Sequence, residues 1–159
     1  MSYFCEMFKH IILIIILFIS ISSKSKDFEQ RIYSVKNISE KPIIDGTVDE
    51  IWNDVKSTSK FVQYKPNNGR NERPGFETVI KVAHDKNNLY ILAKLNDPHI
   101  DSLNKELAKR DEENKNFDKF SVFIDPYSNG QLVYNFTVSA SNVQSDSKII
   151  RGNKDMLWD

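Results

Sequence analysis

The chain has 159 residues, in which 22 Lys and Arg are balanced by 22 Asp and Glu, and it contains 1 Cys. This length allows one domain, and a net charge of zero removes the excess of cations that drives binding to nucleic acid. A single cysteine excludes a disulfide framework and a thiolate zinc site, while an aromatic share of 11% is too high for a disordered chain. The composition therefore predicts one globular domain stabilised by its core.

The N-terminus has the layout of a secretory signal peptide. Lys9 precedes the unbroken apolar run 11–19, and the small residues Ser20 and Ser22 follow it. The run is shorter than the roughly 20 residues that a membrane-spanning helix needs, so we expect cleavage after Ser22, with an uncleaved anchor as the alternative. The signal would then cover 1–22 and a leader 23–37, and the mature protein would be secreted, periplasmic or associated with the outer membrane.

Four β-strands are predicted, arranged as two hairpins. The runs 76–83 and 88–95 are rich in β-branched and aromatic residues, and the turn-forming segment 85–88 joins them. A second pair, 119–125 and 131–138, flanks another turn. In the last run apolar residues alternate with mostly polar ones, which predicts a sheet with one face on a core.

Two short helices are predicted between these strands. Thr47 and Glu50 have the spacing of a capping box for a turn that carries Trp52 inward, as a core anchor instead of a sugar platform. Asp101 would cap a second helix over 101–109. Hairpins joined by loops, with helices only between them, are typical of an antiparallel β-sandwich, so the predicted fold class is all-β.

Seven short motifs follow one another over most of the chain. They are KPIIDGTVDEIW at 41–52, FVQYKP at 61–66, HDKNNLYI at 84–91, NDP at 96–98, RD at 110–111, DKFSVFID at 118–125 and WD at 158–159. In this order they resemble carbohydrate-binding module family 9, in the version found at the N-terminus of secreted bacterial proteins with a following uncharacterised β-rich region. The resemblance covers 38–159 and is more specific than any single motif.

The resemblance implies an antiparallel β-sandwich that binds a poly- or oligosaccharide. Several members are attached to polysaccharide-degrading enzymes, which implies a link to O-glycosyl hydrolase activity in the full-length protein, and some members hold structural calcium. The closing strands of the family would follow Trp158, so we expect the domain to be incomplete at its C-terminus and followed by a further region.

Loop aromatics are the candidate sugar contacts, because an exposed ring can stack on a sugar while polar neighbours bind its hydroxyls. Tyr64, Tyr127 and Trp158 lie in or beside loop segments, although each could instead pack its loop onto the sandwich. Arg110 and Asp111 form either an ion pair that fixes the loop before the second hairpin or a polar clamp for sugar hydroxyls.

Carboxylates at turns and strand ends are the candidate metal ligands. Asp97, Asp125 and Asp155 are such residues, and calcium prefers oxygen ligands of this kind. The alternative is that these side chains form turns by accepting hydrogen bonds from their own backbone. No segment matches an EF-hand loop, so calcium is implied only by the family resemblance.

No catalytic site is recognised in the sequence. The acidic residues 111–113 and Asp118 precede a strand and are typical of a solvated loop, and no Gly-x-Ser-x-Gly motif is present. Haem ligation by His84, His99 and Met156 is a further alternative, because related sandwich domains of secreted redox proteins use Met and His ligands. Lone histidines beside turns are more often ordinary surface residues.

The sequence therefore predicts a non-catalytic carbohydrate-binding module of a secreted or cell-envelope protein, acting in polysaccharide binding and breakdown. The alternative, from a different class, is a structural or interaction sandwich without sugar binding that assists a downstream outer-membrane or enzymatic region.

Overall fold

The computed structural model describes residues 31–58, 60–112 and 115–157, which form two β-sheets. The strands in chain order are β1 (Lys36–Asn37), β2 (Thr78–His84), β3 (Leu89–Leu95), β4 (Lys119–Ile124), β5 (Leu132–Ser139), β6 (Gln144–Ile150) and β7 (Asn153–Asp155). The first sheet has the order β1-β2-β3 and the second the order β4-β5-β6-β7. Every pairing is antiparallel except that of β1 with β2. The predicted all-β sandwich is confirmed, and β1, β6 and β7 join the four predicted strands.

The hairpin of β2 and β3 is closed by the side chain of Asp85. Its Oδ1 accepts hydrogen bonds from the backbone N–H groups of Asn87 and Asn88, both at 2.7 Å, and its Oδ2 accepts one from the Tyr90 hydroxyl at 2.8 Å. An aspartate that satisfies the free amides of its own turn is a recognised turn former. The turn predicted at 85–88 is thus confirmed, and it sets the register that pairs Ala83 with Tyr90.

These bonds make stability depend on the charge of Asp85. The N–H of Asn87 first, and then the amide of Asn88 and the hydroxyl of Tyr90, hold the pKa of Asp85 well below its ordinary value of 3.8. A carboxyl with a depressed pKa in the folded state stabilises it above the unfolded pKa, and this contribution is lost as the pH falls toward the folded pKa.

We therefore expect Asp85→Asn to lower the free energy of unfolding at neutral pH and to flatten its acid dependence. Urea unfolding would be compared at about pH 7 and about pH 3, where the difference between wild type and variant should shrink. Asp101→Asn, at an exposed carboxylate, is the matched control. An equal difference at both pH values would show that the charge of Asp85 contributes nothing.

The core lies on the outer face of the first sheet, under a 3₁₀ helix at Glu50–Asp54. Trp52 is 4% exposed and packs with Ile38, Val55 and Ala83 in one buried cluster. Its backbone carbonyl also accepts a hydrogen bond from Lys81 Nζ at 2.6 Å. The prediction that Trp52 is a core anchor is confirmed.

The capping box predicted at the start of this turn is wrong. Asp49 occupies the N-cap position without a side-chain cap bond, and the element is 3₁₀ rather than α-helical. Its Oδ2 accepts a hydrogen bond from Ile43 N–H at 2.7 Å, while Thr47 N–H donates to Asp45 Oδ1 at 2.7 Å. The polar side chains here organise the preceding loop, because local side-chain bonds compete with helix caps.

The second predicted helix, over 101–109, is also wrong. Only Ile100–Ser102 forms a 3₁₀ turn. Beyond it, Asn104 N–H donates to Asp118 Oδ2 at 3.0 Å, and its carbonyl accepts from Asp118 N–H at 3.2 Å. These bonds to the residue before β4 therefore satisfy backbone N–H and C=O groups that would otherwise be hydrogen-bonded within a helix. In the part of the chain that the structure describes, no helix is long and apolar enough to cross a membrane.

The N-terminal part of the described chain lies against the first sheet. The Tyr33 hydroxyl accepts a hydrogen bond from Val82 N–H at 3.1 Å and donates one to the Lys56 carbonyl. With β1, residues 31–37 of the predicted leader thus contact β2 and its neighbours. The predicted signal peptide, 1–22, lies outside the described residues.

The second sheet has one apolar and one polar face. The polar face is the better buried of the two: Asn135, Thr137 and Ser147 are at most 8% exposed, and Thr137 Oγ1 lies 2.7 Å from Ser121 Oγ across the strands. Small side chains that bond to each other can be buried at little cost.

The apolar face of the second sheet is turned toward the first, as the alternation in β5 predicts. It borders a hollow of about 480 Å³, the inter-sheet hollow, whose apolar lining comes from both sheets: Ile91, Phe120, Val122, Phe136 and Val138. Phe136 remains 44% exposed and Val138 37%, so this face is less well covered than a core strand should be.

Candidate functional site

A compact loop follows the first 3₁₀ helix and presents Tyr64. Val62 and Asn71 form an isolated antiparallel bridge, and Gln63 N–H donates to the Arg70 carbonyl at 2.7 Å. Gly69 N–H donates back to the Gln63 carbonyl at 2.9 Å, in the left-handed conformation that favours glycine. These bonds give the segment 62–71 a defined shape without a regular strand.

A tight turn at Arg73–Phe76 faces this loop. Phe76 N–H donates to the Arg73 carbonyl at 3.0 Å, and Gly75 has a φ of 86°. Proline followed by glycine at the two central positions is the signature of a type II turn. The Arg73 guanidinium carbon lies 4.2 Å from the centre of the Phe76 ring, whose centroid is 6.2 Å from that of His99.

Between the loop and the turn lies a concave site of about 390 Å³, here called the loop cleft. Its lining residues are Gln63, Lys65, Pro66, Asn67, Glu72, Arg73 and Phe76. Glu72 Oε1 accepts a hydrogen bond from Thr78 N–H at 2.8 Å, which ties the cleft to the first residue of β2. The volume lies within the range of small-molecule sites, and the lining combines an aromatic ring with several convergent polar groups.

The candidate aromatics lie in separate places. Tyr64 is 77% exposed and stands in the chain between two lining residues of the loop cleft, with Lys65 Nζ 5.7 Å from the centre of its ring. Tyr127 is 69% exposed in the β4–β5 turn and does not line that cleft. Trp158 lies outside the described residues. Of the candidate aromatics in the described part of the chain, Tyr64 adjoins the loop cleft through its neighbours and through Lys65, but its own side chain is not among the lining residues.

Arg110 and Asp111 join the loop before β4 to strand β6. Arg110 Nε lies 3.5 Å from Asp111 Oδ2, and its guanidinium also bonds to the side chains of Asp146 and Gln144. Asp111 Oδ1 accepts a hydrogen bond from Asp146 N–H at 3.1 Å. These contacts are those of the ion-pair alternative. Arg110 also lines the inter-sheet hollow, and its role as a sugar clamp stays a prediction.

The three candidate calcium ligands each form a turn. Asp97 accepts a hydrogen bond from His99 N–H, Asp125 from Tyr127 N–H, and Asp155 from Leu157 N–H.

Within residues 31–58, 60–112 and 115–157, no three acidic, His or Cys side chains group closely enough to hold a metal ion. The described side chains thus do not fit a site built from several carboxylates. Calcium binding stays a prediction from the family resemblance. Measuring the melting temperature at increasing millimolar concentrations of calcium tests it. An unchanged melting temperature would show that the protein does not bind calcium in its folded state.

The two histidines of the haem alternative have ordinary contacts. A ring nitrogen of His84 lies 3.0 Å from the Asp85 carbonyl, and the His99 ring packs near Phe76. Both of these contacts lie beside the hairpin of β2 and β3.

Sequence reasoning missed Arg73, Glu72 and Phe76 as members of the site. The Pro74-Gly75 pair is a strong turn signal and could have indicated that Arg73 and Phe76 approach each other. The role of Glu72 had no comparable signal, because its partner is a backbone amide six residues away.

Comparison with known proteins places this fold in a family. The chain has no significant match among curated proteins or among solved structures. A family model described as carbohydrate family 9 binding domain-like matches residues 44–158. This range includes both sheets from β2 onward, the first 3₁₀ helix and the whole loop cleft. The chain therefore belongs to the carbohydrate family 9 binding domain-like family.

Proposed function

We propose that this protein is a non-catalytic carbohydrate-binding module that grips its ligand at the loop cleft. The observation that carries the proposal is the combination in the cleft, in a member of this family, of a half-buried Phe76 with convergent amide, cationic and carboxylate groups, next to the exposed Tyr64 at its edge in the chain. Sugars present one apolar face and a rim of hydroxyls, so a site with a flat ring and several polar groups matches both.

Tyr64→Ala is expected to weaken binding of an oligosaccharide by about 1–3 kcal/mol, the range of aromatic anchors at interfaces. Because the side chain is 77% exposed, the unfolding midpoint should stay nearly unchanged. A glycan array would first identify a soluble ligand, and calorimetry would then measure the affinity of wild type and variant.

Tyr127→Ala is the matched control, since it removes an equally exposed tyrosine from a loop outside the cleft. It should bind as wild type does. Loss of binding in Tyr127→Ala with wild-type affinity in Tyr64→Ala would move the site to the β4–β5 turn.

We also propose that this module acts outside the cytoplasm and together with a linked region. Export through the signal at 1–22 would bring it to the secreted fraction or the cell envelope, where it would hold a polysaccharide for breakdown by a linked region with O-glycosyl hydrolase activity. N-terminal sequencing of exported protein should begin at Ser23. Recovery of the chain with Met1 in the cytoplasm would contradict export.

A second candidate function is that of a structural or interaction domain without sugar binding. The apolar face at the inter-sheet hollow favours it, because Phe136 and Val138 are more than one third exposed there. Contiguous exposed apolar surface often marks a protein contact. A folded protein that binds no glycan on the array would favour this alternative.

A further inference from the structure

The segment around the loop cleft has a charge that the chain as a whole lacks. Residues 60–76 contain four cations and one carboxylate, whereas the complete chain has equal numbers of both signs. Two of the cations, Lys65 and Arg73, line the cleft itself. Neither forms an ion pair with a carboxylate among the described residues. A concave surface with unpaired cations attracts anionic ligands.

Arg73 is held in place before any ligand arrives. Its guanidinium stacks on the Phe76 ring at 4.2 Å, and the turn that joins the two residues is closed by a backbone hydrogen bond of 3.0 Å. Gly75 N–H in the same turn donates to Glu77 Oε1 at 2.9 Å. Stacking engages the face of the guanidinium and leaves the N–H groups along its edge, which match the two oxygens of a carboxylate. A cation fixed in this way loses little side-chain entropy on binding.

The carboxylate in the cleft offsets this preference only in part, because Lys65 and Arg73 give the lining two positive charges against the one negative charge of Glu72. One oxygen of Glu72 already accepts the hydrogen bond from Thr78 N–H, and the side chain is half-buried at the base of β2. Lys65, by contrast, is exposed and places its ammonium 5.7 Å from the centre of the Tyr64 ring. A sugar stacked on Tyr64 would therefore have a cation within reach of its substituents.

From this arrangement we infer that the loop cleft selects an acidic polysaccharide, with Arg73 and Lys65 receiving the carboxylate of a uronate unit whose apolar face lies on Tyr64. This inference rests on the proposed function, since it names the ligand class of the same site.

The test compares ligands that differ only in charge. Oligogalacturonate and its methyl ester share one backbone, and calorimetry on the full chain would measure both. We expect the acid form to bind about ten-fold more tightly, near the lower end for a charge-assisted hydrogen bond. Its affinity should fall as sodium chloride is raised from about 50 to about 500 mM, because salt screens exposed charges.

Arg73→Gln should weaken binding of the acid form about ten-fold and weaken binding of the ester much less, so that the preference for the acid is lost. Arg70→Gln is the matched control: Arg70 belongs to the same loop but does not line the cleft, so its loss should have a much smaller effect.

Three outcomes separate the two proposals. Equal affinity for acid and ester would overturn the inference and leave carbohydrate binding intact. The same conclusion would follow if the protein bound neutral glycans but did not bind galacturonan, alginate or a sulfated galactan. Absence of binding to every acidic and neutral glycan would overturn the proposed function itself, and the inference with it.

Discussion

Trp52→Ala should lower the free energy of unfolding by about 3–5 kcal/mol, the usual cost of emptying a core aromatic site. The side chain is 4% exposed and contacts Ile38, Val55 and Ala83, which come from three separate parts of the chain. A closely packed core relaxes only partly around such a cavity, so most of the lost contacts are not replaced. Urea unfolding followed by circular dichroism would measure the loss.

Tyr127→Ala provides the control for this experiment, because its ring is 69% exposed and outside the core cluster. Its free energy of unfolding should stay within about 0.5 kcal/mol of wild type, as for most surface substitutions. A loss below about 1 kcal/mol in Trp52→Ala would show that the first sheet does not depend on this cluster.

Ala83→Leu should also destabilise the protein, by about 1–3 kcal/mol, through overpacking. Ala83 is 0% exposed, lies in the same cluster as Trp52 and pairs with Tyr90 across the hairpin. A larger side chain would push the 3₁₀ helix away from the sheet. The same urea experiment measures the effect.

Ala93→Leu is the matched control on the neighbouring strand. Ala93 is half-buried, whereas Ala83 is fully buried, and it shares a strand face with Ile91, which lines the inter-sheet hollow, so a larger side chain there should displace fewer packed neighbours. This variant should lose less stability than Ala83→Leu. A larger loss of stability in Ala93→Leu than in Ala83→Leu would mean that the face of the first sheet that carries Ala93 is the more tightly packed one.

The fold was predictable where local chemistry determines structure. Asp85 forms the turn of the first hairpin through bonds to residues within five positions, and the flanking strands have strong β-propensity. Strand β6 was not predicted, because its first five residues contain no apolar side chain. It is a strand because it pairs with β5, and this pairing depends on contacts that a local pattern does not contain.

The helix predicted over 101–109 failed for a related reason. Its sequence has an apolar stripe, but Asn104 bonds to Asp118, fourteen positions along the chain. Tertiary contacts of this kind override a weak local preference. Leu107, which belongs to that apolar stripe, is 79% exposed.

The candidate site could be predicted only in part. The exposed loop position of Tyr64 followed from the surrounding polar residues. The stacking of Arg73 on Phe76 did not, since it depends on the geometry of the turn that joins the two residues. The separation of Asp97, Asp125 and Asp155 among individual turns likewise depends on the path of the whole chain.

The most direct test of the account is an NMR titration of the folded chain with an oligosaccharide identified on the glycan array. If the loop cleft is the carbohydrate site, amide shifts should change at Gln63, Lys65 and Phe76, while those of the β4–β5 turn stay constant. Saturable binding with changes confined to the β4–β5 turn or to the inter-sheet hollow would contradict the central claim.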